Sequence, residues 1–308
     1  MMIDFHPTGQ RRFQHLLIAL RGDKLTLLAL AIFIFYTLIA LLAPLLAPYD
    51  TAGNDFMDLM NAEIPPYWVS GDARFWLGTD TQGRDLITVI LYGTRLSLTI
   101  GVCAVLIQMI AGITIGLISG YIGGRLDSFL MRCADIQLSF STMMVAIIVL
   151  ALFQAAFGSA AYQQLAMLML ILVIGLAEWP VFARTVRASV LAEKEKEYVD
   201  AARVLGVSQI RIMFRHILPN SLSSVLVILT IQIANAIVAE AALSFLGLGM
   251  PPTQPSLGAL ISSGVSYLFA GAWWICFFPS IALIVLIFVM NLLGDWFRIH
   301  MNPRLERY

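Results

Sequence analysis

Residues 96–118 read LSLTIGVCAVLIQMIAGITIGLI, a run without a single Asp, Glu, Lys or Arg. An α-helix rising about 1.5 Å per residue needs roughly 20 such residues to cross about 30 Å of hydrocarbon, and lipid offers no partner to an unpaired backbone group. Residues 96–118 therefore read as one membrane span. Five further windows meet the same requirement: 25–47 and 138–157, free of charged side chains, and 165–182, 222–246 and 272–296, each holding one acid. The expected fold is all-α, a polytopic membrane protein with six transmembrane helices.

Composition agrees. The chain has 308 residues, 59% of them hydrophobic and 12% charged, about half the roughly 25% charged content of a soluble domain. Net charge is zero, so no basic field exists to attract nucleic acid. Cys103, Cys133 and Cys276 lie far apart, without the CxxC spacing of a zinc ribbon or redox motif. The first window exceeds the roughly 7–15 apolar residues of a signal-peptide core and reads as a retained span.

Lys and Arg distribute unevenly between alternate loops. Sixteen of the nineteen fall on the side holding both termini, the turn after the second span, and the segment 184–215; only Arg74, Arg84 and Arg95 fall on the other. Cytoplasmic loops carry the basic excess, so both termini are expected in the cytoplasm. The expected organisation is a cytoplasmic tail 1–24, a first helix 25–47, an external segment 48–95, a five-helix core 96–297 with the cytoplasmic loop 188–220, and a tail 298–308. The external segment, with Tyr67, Trp68, Phe75 and Trp76 among seven acids, is expected to form short amphipathic or irregular structure near the headgroups. The loop 247–271 is expected on the same outer side.

Within the spans, Gly112, Gly116 and Gly120 recur every fourth residue and leave one helix face open to close approach by another backbone. Glu178 precedes Trp179 and Pro180, and Glu240 sits late in the fifth span. An intramembrane carboxylate is costly and marks either a polar path or a buried partner; Arg184, about a turn away, is the candidate partner for Glu178. Trp273 and Trp274 open the last span, where aromatic rings anchor at headgroup level.

The segment Ala188–Asn220 carries the sharpest pattern. Tyr198, Ala201, Ala202 and Leu205 fall on one face of a short helix, with Glu197, Asp200 and Arg203 around it. Gly206 suits a left-handed terminating turn; Ser208 can cap a second helix bearing Arg211 and Arg215, with Pro219 as its stop. Two alanines bury little in a membrane surface, where bulky Leu, Phe or Trp would serve better, so this face is expected to seat in another protein.

At these residues the chain resembles the permease subunits of binding-protein-dependent ABC importers. Their EAA signature reads here as Asp200-Ala201-Ala202, then Gly206, then His216-Ile217-Leu218-Pro219, with aspartate for the usual glutamate and histidine for the usual isoleucine. Both departures resemble the dipeptide and oligopeptide branch, as do LGTDTQGRDLITVILYGTRLSL (77–98), GYIGGRLDSFLMRCADI (120–136) and ALSFLGLGMPPTQPSLGALI (242–261). A first span followed by a long external segment is similar to the DppC/OppC type. The resemblance implies a type-1 ABC permease fold in a bacterial inner membrane and a non-catalytic role. The implied partners are a second homologous permease, two ATPase subunits that use ATP and Mg, an extracytoplasmic solute-binding protein and membrane lipid. Glu197, Tyr198, Asp200, Ala201, Ala202, Arg203, Leu205 and Gly206 of the loop, with His216 and Pro219, would couple the permease to an ATPase. The solute would be a di- or oligopeptide, or alternatively nickel, a glycoside or a peptide-like antibiotic.

No GxxxxGK[ST] phosphate loop occurs, so this chain is expected to bind no nucleotide or other cofactor itself. No HExxH or GxSxG motif occurs either. A proton-driven carrier using Glu178 and Glu240 is the rival from another class, but matched interrupted helices in the two halves, which often mark such carriers, are lacking. An intramembrane enzyme would need a nucleophile and base within reach, and none of the six windows holds a histidine.

Overall fold

The computed structural model describes residues 20, 22–46, 59–70 and 72–301; the expectations for most of both tails and for residues 47–58 lie outside them. Of the eleven α-helices among the described residues, ten form the body: α1 Lys24–Leu46, α2 Leu86–Ile122, α3 Gly124–Ser139, α4 Thr142–Ala177, α5 Trp179–Lys194, α6 Glu197–Val204, α7 Gln209–Ile212, α8 Leu218–Phe245, α9 Leu257–Leu268 and α10 Trp274–Met301. Short turns of helix at Leu59–Asn61 and Tyr67–Ser70 precede α2, and an isolated antiparallel bridge joins Thr79 to Asp85.

Five stretches are long and apolar enough to cross a membrane, one of them Thr142–Lys194. That stretch is a hairpin, because Gly158 has φ +81° and ψ 166° inside α4. The Thr142 hydroxyl at its start donates to the Glu178 carboxylate just past its end; in a straight helix these residues would stand roughly 54 Å apart. The legs 142–157 and 159–177 are therefore separate crossings, and the six expected spans are all present. The windows' apolar outer faces, such as Leu41, Ile110, Leu152 and Ile284, are exposed on the single chain, as a lipid-facing surface requires.

Helix α2 is the central post and touches α1, α3, α4, α5, α8, α9 and α10. Its closest neighbour is α5, and the stripe of small residues explains why. A Cβ at Gly112 would press on the Phe182 Cβ and lie 2.8 Å from the Trp179 carbonyl. One at Gly116 would meet the Ala183 carbonyl and lie 2.9 Å from the Val186 Cβ, and one at Gly120 would lie 3.0 Å from Val190. The contacts advance together along both chains, so α5 runs parallel to the inner half of α2, backbone against backbone. Gly112→Ala is expected to cost about 1–3 kcal/mol through overpacking, read as a lowered unfolding midpoint of the purified protein in detergent.

Two sequence expectations need correction, and one helix was not foreseen. Pro219 does not stop a helix: the π-helical turn Met213–Ile217 leads directly into α8. Proline lacks the N–H for an i→i−4 bond, and a π turn accommodates that missing donor without breaking the axis. The outer loop 247–271 holds a helix that the sequence reading passed over, α9, which packs with Gly258 against the Ala241 backbone and Gly264 against that of Cys276. Trp274 is not an interfacial anchor; it is buried, and its indole N–H donates to the Thr79 carbonyl over 3.1 Å.

Candidate functional site

Two regions carry chemistry. The first is the turn of helix α6. Glu197 and Asp200 lie in its first turn and Arg203 in its last, matching the helix dipole at both ends. Gly206, at φ +75°, ends it, with the Val207 N–H donating to the Ala202 carbonyl over 3.1 Å. Inward, Val199 and Ala202 are buried and join the main core with Ile212 and Ile217. The Tyr198 hydroxyl donates to Glu193 over 2.7 Å and accepts from Asn220 over 3.2 Å, pinning α6 between the ends of α5 and α8. His216 is half-buried, and its carbonyl accepts from Asn220.

The outward face differs from the sequence expectation at one residue: Ala202 is covered by the chain's own core, while Ala201 is open. Around Ala201 stand Asp200, Arg203, Val204 at 87% exposure and Leu205 at 80%, followed by Ile210 and Phe214. Asp200 and Arg203 pair with each other over 2.8 Å. An apolar ridge this exposed on a polar loop marks an interaction surface.

The loop beneath it is braced by ion pairs. Arg184 pairs with Asp135 on α3, which corrects the expected pairing with Glu178, and Arg187 chelates Asp127 over 2.6 and 2.7 Å. The Arg187 hydrogen bonds hold the Asp127 carboxyl below the usual carboxylate range, and Ser119 adds to the effect. A depressed carboxyl contributes stability above its unfolded value and loses it as pH falls through the lower folded value; this brace is thus intact at neutral pH and released only in acid.

The second region is a cavity of about 180 Å³ between α2, the two legs of α4 and α8. Glu178 lies on its wall with Thr142, Gln108, Gln232 and Asn235. Asn235 donates to Gln232 over 2.9 Å, Gln232 to Gln108 over 3.3 Å, and Gln108 to the Ile174 carbonyl over 3.2 Å. These amides went unread in the sequence, although three unpaired amides inside apolar windows are themselves a signal, because burying one unbonded is costly.

Glu240 is not on that wall. It is fully buried, accepts from Ser97 on α2 over 3.0 Å and from Ser244 over 2.7 Å, and Ser244 in turn contacts Ser256, the cap of α9. The two carboxylates are thus brought to different places: Glu178 to a cavity, Glu240 to a sealed knot joining α2, α8 and α9.

Residues 112–307 match the family described as binding-protein-dependent transport system inner membrane component, and residues 12–66 match the N-terminal transmembrane domain of oligopeptide transport permease C. The chain belongs to this permease family. The permease is 35% identical to the dipeptide transport system permease protein DppC of Haemophilus influenzae, over 93% of each chain. It is 34% identical to the oligopeptide permease OppC of Bacillus subtilis, over 93% of this chain and 88% of the relative. It is also 36% identical to the glutathione permease GsiD of Pectobacterium atrosepticum, over 96% and 90%. Among solved structures, a chain of the MetNI methionine ABC transporter in an inward-facing crystal form superposes with a TM-score of 0.55 at 17% identity, over 70% of this permease and 96% of that chain; the likeness shows the fold. The permease is a multi-pass, non-catalytic inner-membrane subunit of an ABC importer.

Proposed function

We propose that this permease forms half of a translocation pathway for di- or oligopeptides and is driven through α6 by a separate ATPase. The observation that carries the coupling is the outward ridge Ala201–Leu205, an exposed apolar surface on a helix otherwise pinned to the span ends. Similarity to peptide permeases over nearly the whole chain supports the solute class. ATP and Mg belong to the ATPase subunits; ATP binding would supply the differential free energy between inward-facing and outward-facing states, without which no conformational change is explained. A second permease, two ATPases and an external binding protein complete the assembly, with both termini of this chain in the cytoplasm, where the basic excess lies.

The test is reconstitution of the assembled importer in proteoliposomes with labelled trialanine. Uptake is expected only with ATP inside the compartment facing α6 and binding protein on the opposite side. Trialanine uptake by this permease without any ATPase subunit would instead favour a proton-driven carrier. A second reading is import of glutathione, a γ-linked tripeptide, favoured by the Pectobacterium relative; competition between glutathione and trialanine for the cognate binding protein separates the two.

A further inference from the structure

Among the described residues, Glu178 is the one ionisable side chain on the cavity wall. The Thr142 hydroxyl is its hydrogen-bond partner, and the neighbouring cations are engaged elsewhere, Arg184 with Asp135 and Arg187 with Asp127. Its backbone caps the start of α5, yet its side chain makes no capping bond. A half-buried carboxylate on a cavity wall at the inner end of a crossing, with neither a cation nor a capping bond, is costly, and its persistence calls for a partner that arrives.

The surrounding wall says what that partner carries. Asn235 lies at mid-span on α8 and is nevertheless exposed, at the open end of the amide ladder running through Gln232 and Gln108 to the Ile174 carbonyl. With one N–H given to Gln232, the Asn235 amide keeps a second N–H donor and its carbonyl acceptor, the complement of a peptide group. Met143, Ile174, Ala236, Val238 and Ala239 complete an apolar wall suited to a short alkyl side chain. The volume of about 180 Å³ is below the roughly 300–1,000 Å³ of a pocket that encloses a drug-sized ligand, so it fits a terminus rather than a whole oligopeptide.

We propose that Glu178 and Asn235 form a way-station for the amino terminus of a peptide in transit, the carboxylate receiving the α-ammonium and the amide receiving the first peptide group. The inference rests on the peptide reading above and adds the determinant of passage within the membrane. It makes Glu178 a substrate-contacting residue, whereas a merely structural Glu178 would only close the hairpin of α4 onto Thr142.

The experiment uses the complete importer in proteoliposomes with saturating binding protein and measures trialanine uptake and ATP hydrolysis together, for the wild type, Glu178→Gln, Glu178→Asp and Asn235→Leu. Glu178→Gln is expected to lower the peptide moved per ATP at least tenfold and Asn235→Leu about threefold, with Glu178→Asp restoring the ratio to within threefold of wild type. An unchanged ratio in Glu178→Gln overturns the inference, whether uptake is untouched or falls in step with ATP hydrolysis as a folding defect would produce. Failure of the wild type itself to take up trialanine overturns the peptide reading, and the way-station with it; the wild-type measurement alone distinguishes that failure from the other.

Discussion

Ala201→Trp is expected to abolish ATP-driven uptake while leaving the permease folded. Ala201 is exposed beside Val204 and Leu205, so an indole there meets no atom of its own chain's core, but it fills the space that the proposed docking cleft would occupy. Blocking the centre of a docking surface costs about 2 kcal/mol or more of binding, roughly a thirtyfold loss of affinity. Ala202→Trp gives the opposite signature. Ala202 packs with Val199, Ile212 and Ile217, and a large side chain there destabilises the permease before any partner is met. Co-purification of the ATPase, with the unfolding midpoint of the permease measured in parallel, separates the two variants. Retention of more than half the wild-type uptake by a well-folded Ala201→Trp protein would remove α6 from the coupling surface.

The second large effect lies at the outer end. Arg84 and Asp80 form a buried pair, with the guanidinium donating to the carboxylate over 2.6 Å, while the same guanidinium donates to the Pro252 carbonyl over 2.9 Å. Asp80 also accepts the backbone N–H of Gln82 and of Arg84. With Trp274 bonded to Thr79, this pair ties the entry to α2 to the loop before α9. Arg84→Ala strands a buried carboxylate and is expected to cost about 3–5 kcal/mol, seen as a sharply lowered unfolding midpoint. The paired replacement Asp80→Leu with Arg84→Met removes both charges and is expected to recover much of that loss. Breaking the exposed Arg74–Asp72 pair should cost no more than about 1 kcal/mol. Equal losses at the two sites would refute the outer tie.

How much of this was legible beforehand differs from element to element. All six crossings could be read, including the two that the hairpin at Gly158 joins, because each is a contiguous run whose transfer into lipid is set residue by residue. The stripe Gly112–Gly116–Gly120 announced a close helix contact, yet nothing local named α5 as its partner or fixed the parallel register against Ala183 and Val190. In α6, helical spacing placed Ala201 and Ala202 on neighbouring positions; which one faces the core depended on where the ends of α5 and α8 arrive beneath it. The π turn before Pro219 and helix α9 were missed, the first because proline usually ends a helix, the second because a 12-residue helix, although apolar, is too short to span.

From the sequence alone came the membrane as solvent, the number of spans, the EAA-type loop motif and the lack of a GxxxxGK[ST] pattern. Each is a property of consecutive or regularly spaced residues, where local transfer energy and helical period decide the outcome. Tertiary structure alone decided that Glu178 opens on a cavity with Gln108, Gln232 and Asn235, that Glu240 is sealed among serines, and that Arg84 locks the outer loops. Those outcomes depend on which groups, up to 168 residues apart, converge, and a buried charge or amide is tolerated only where the fold delivers its hydrogen-bond partners.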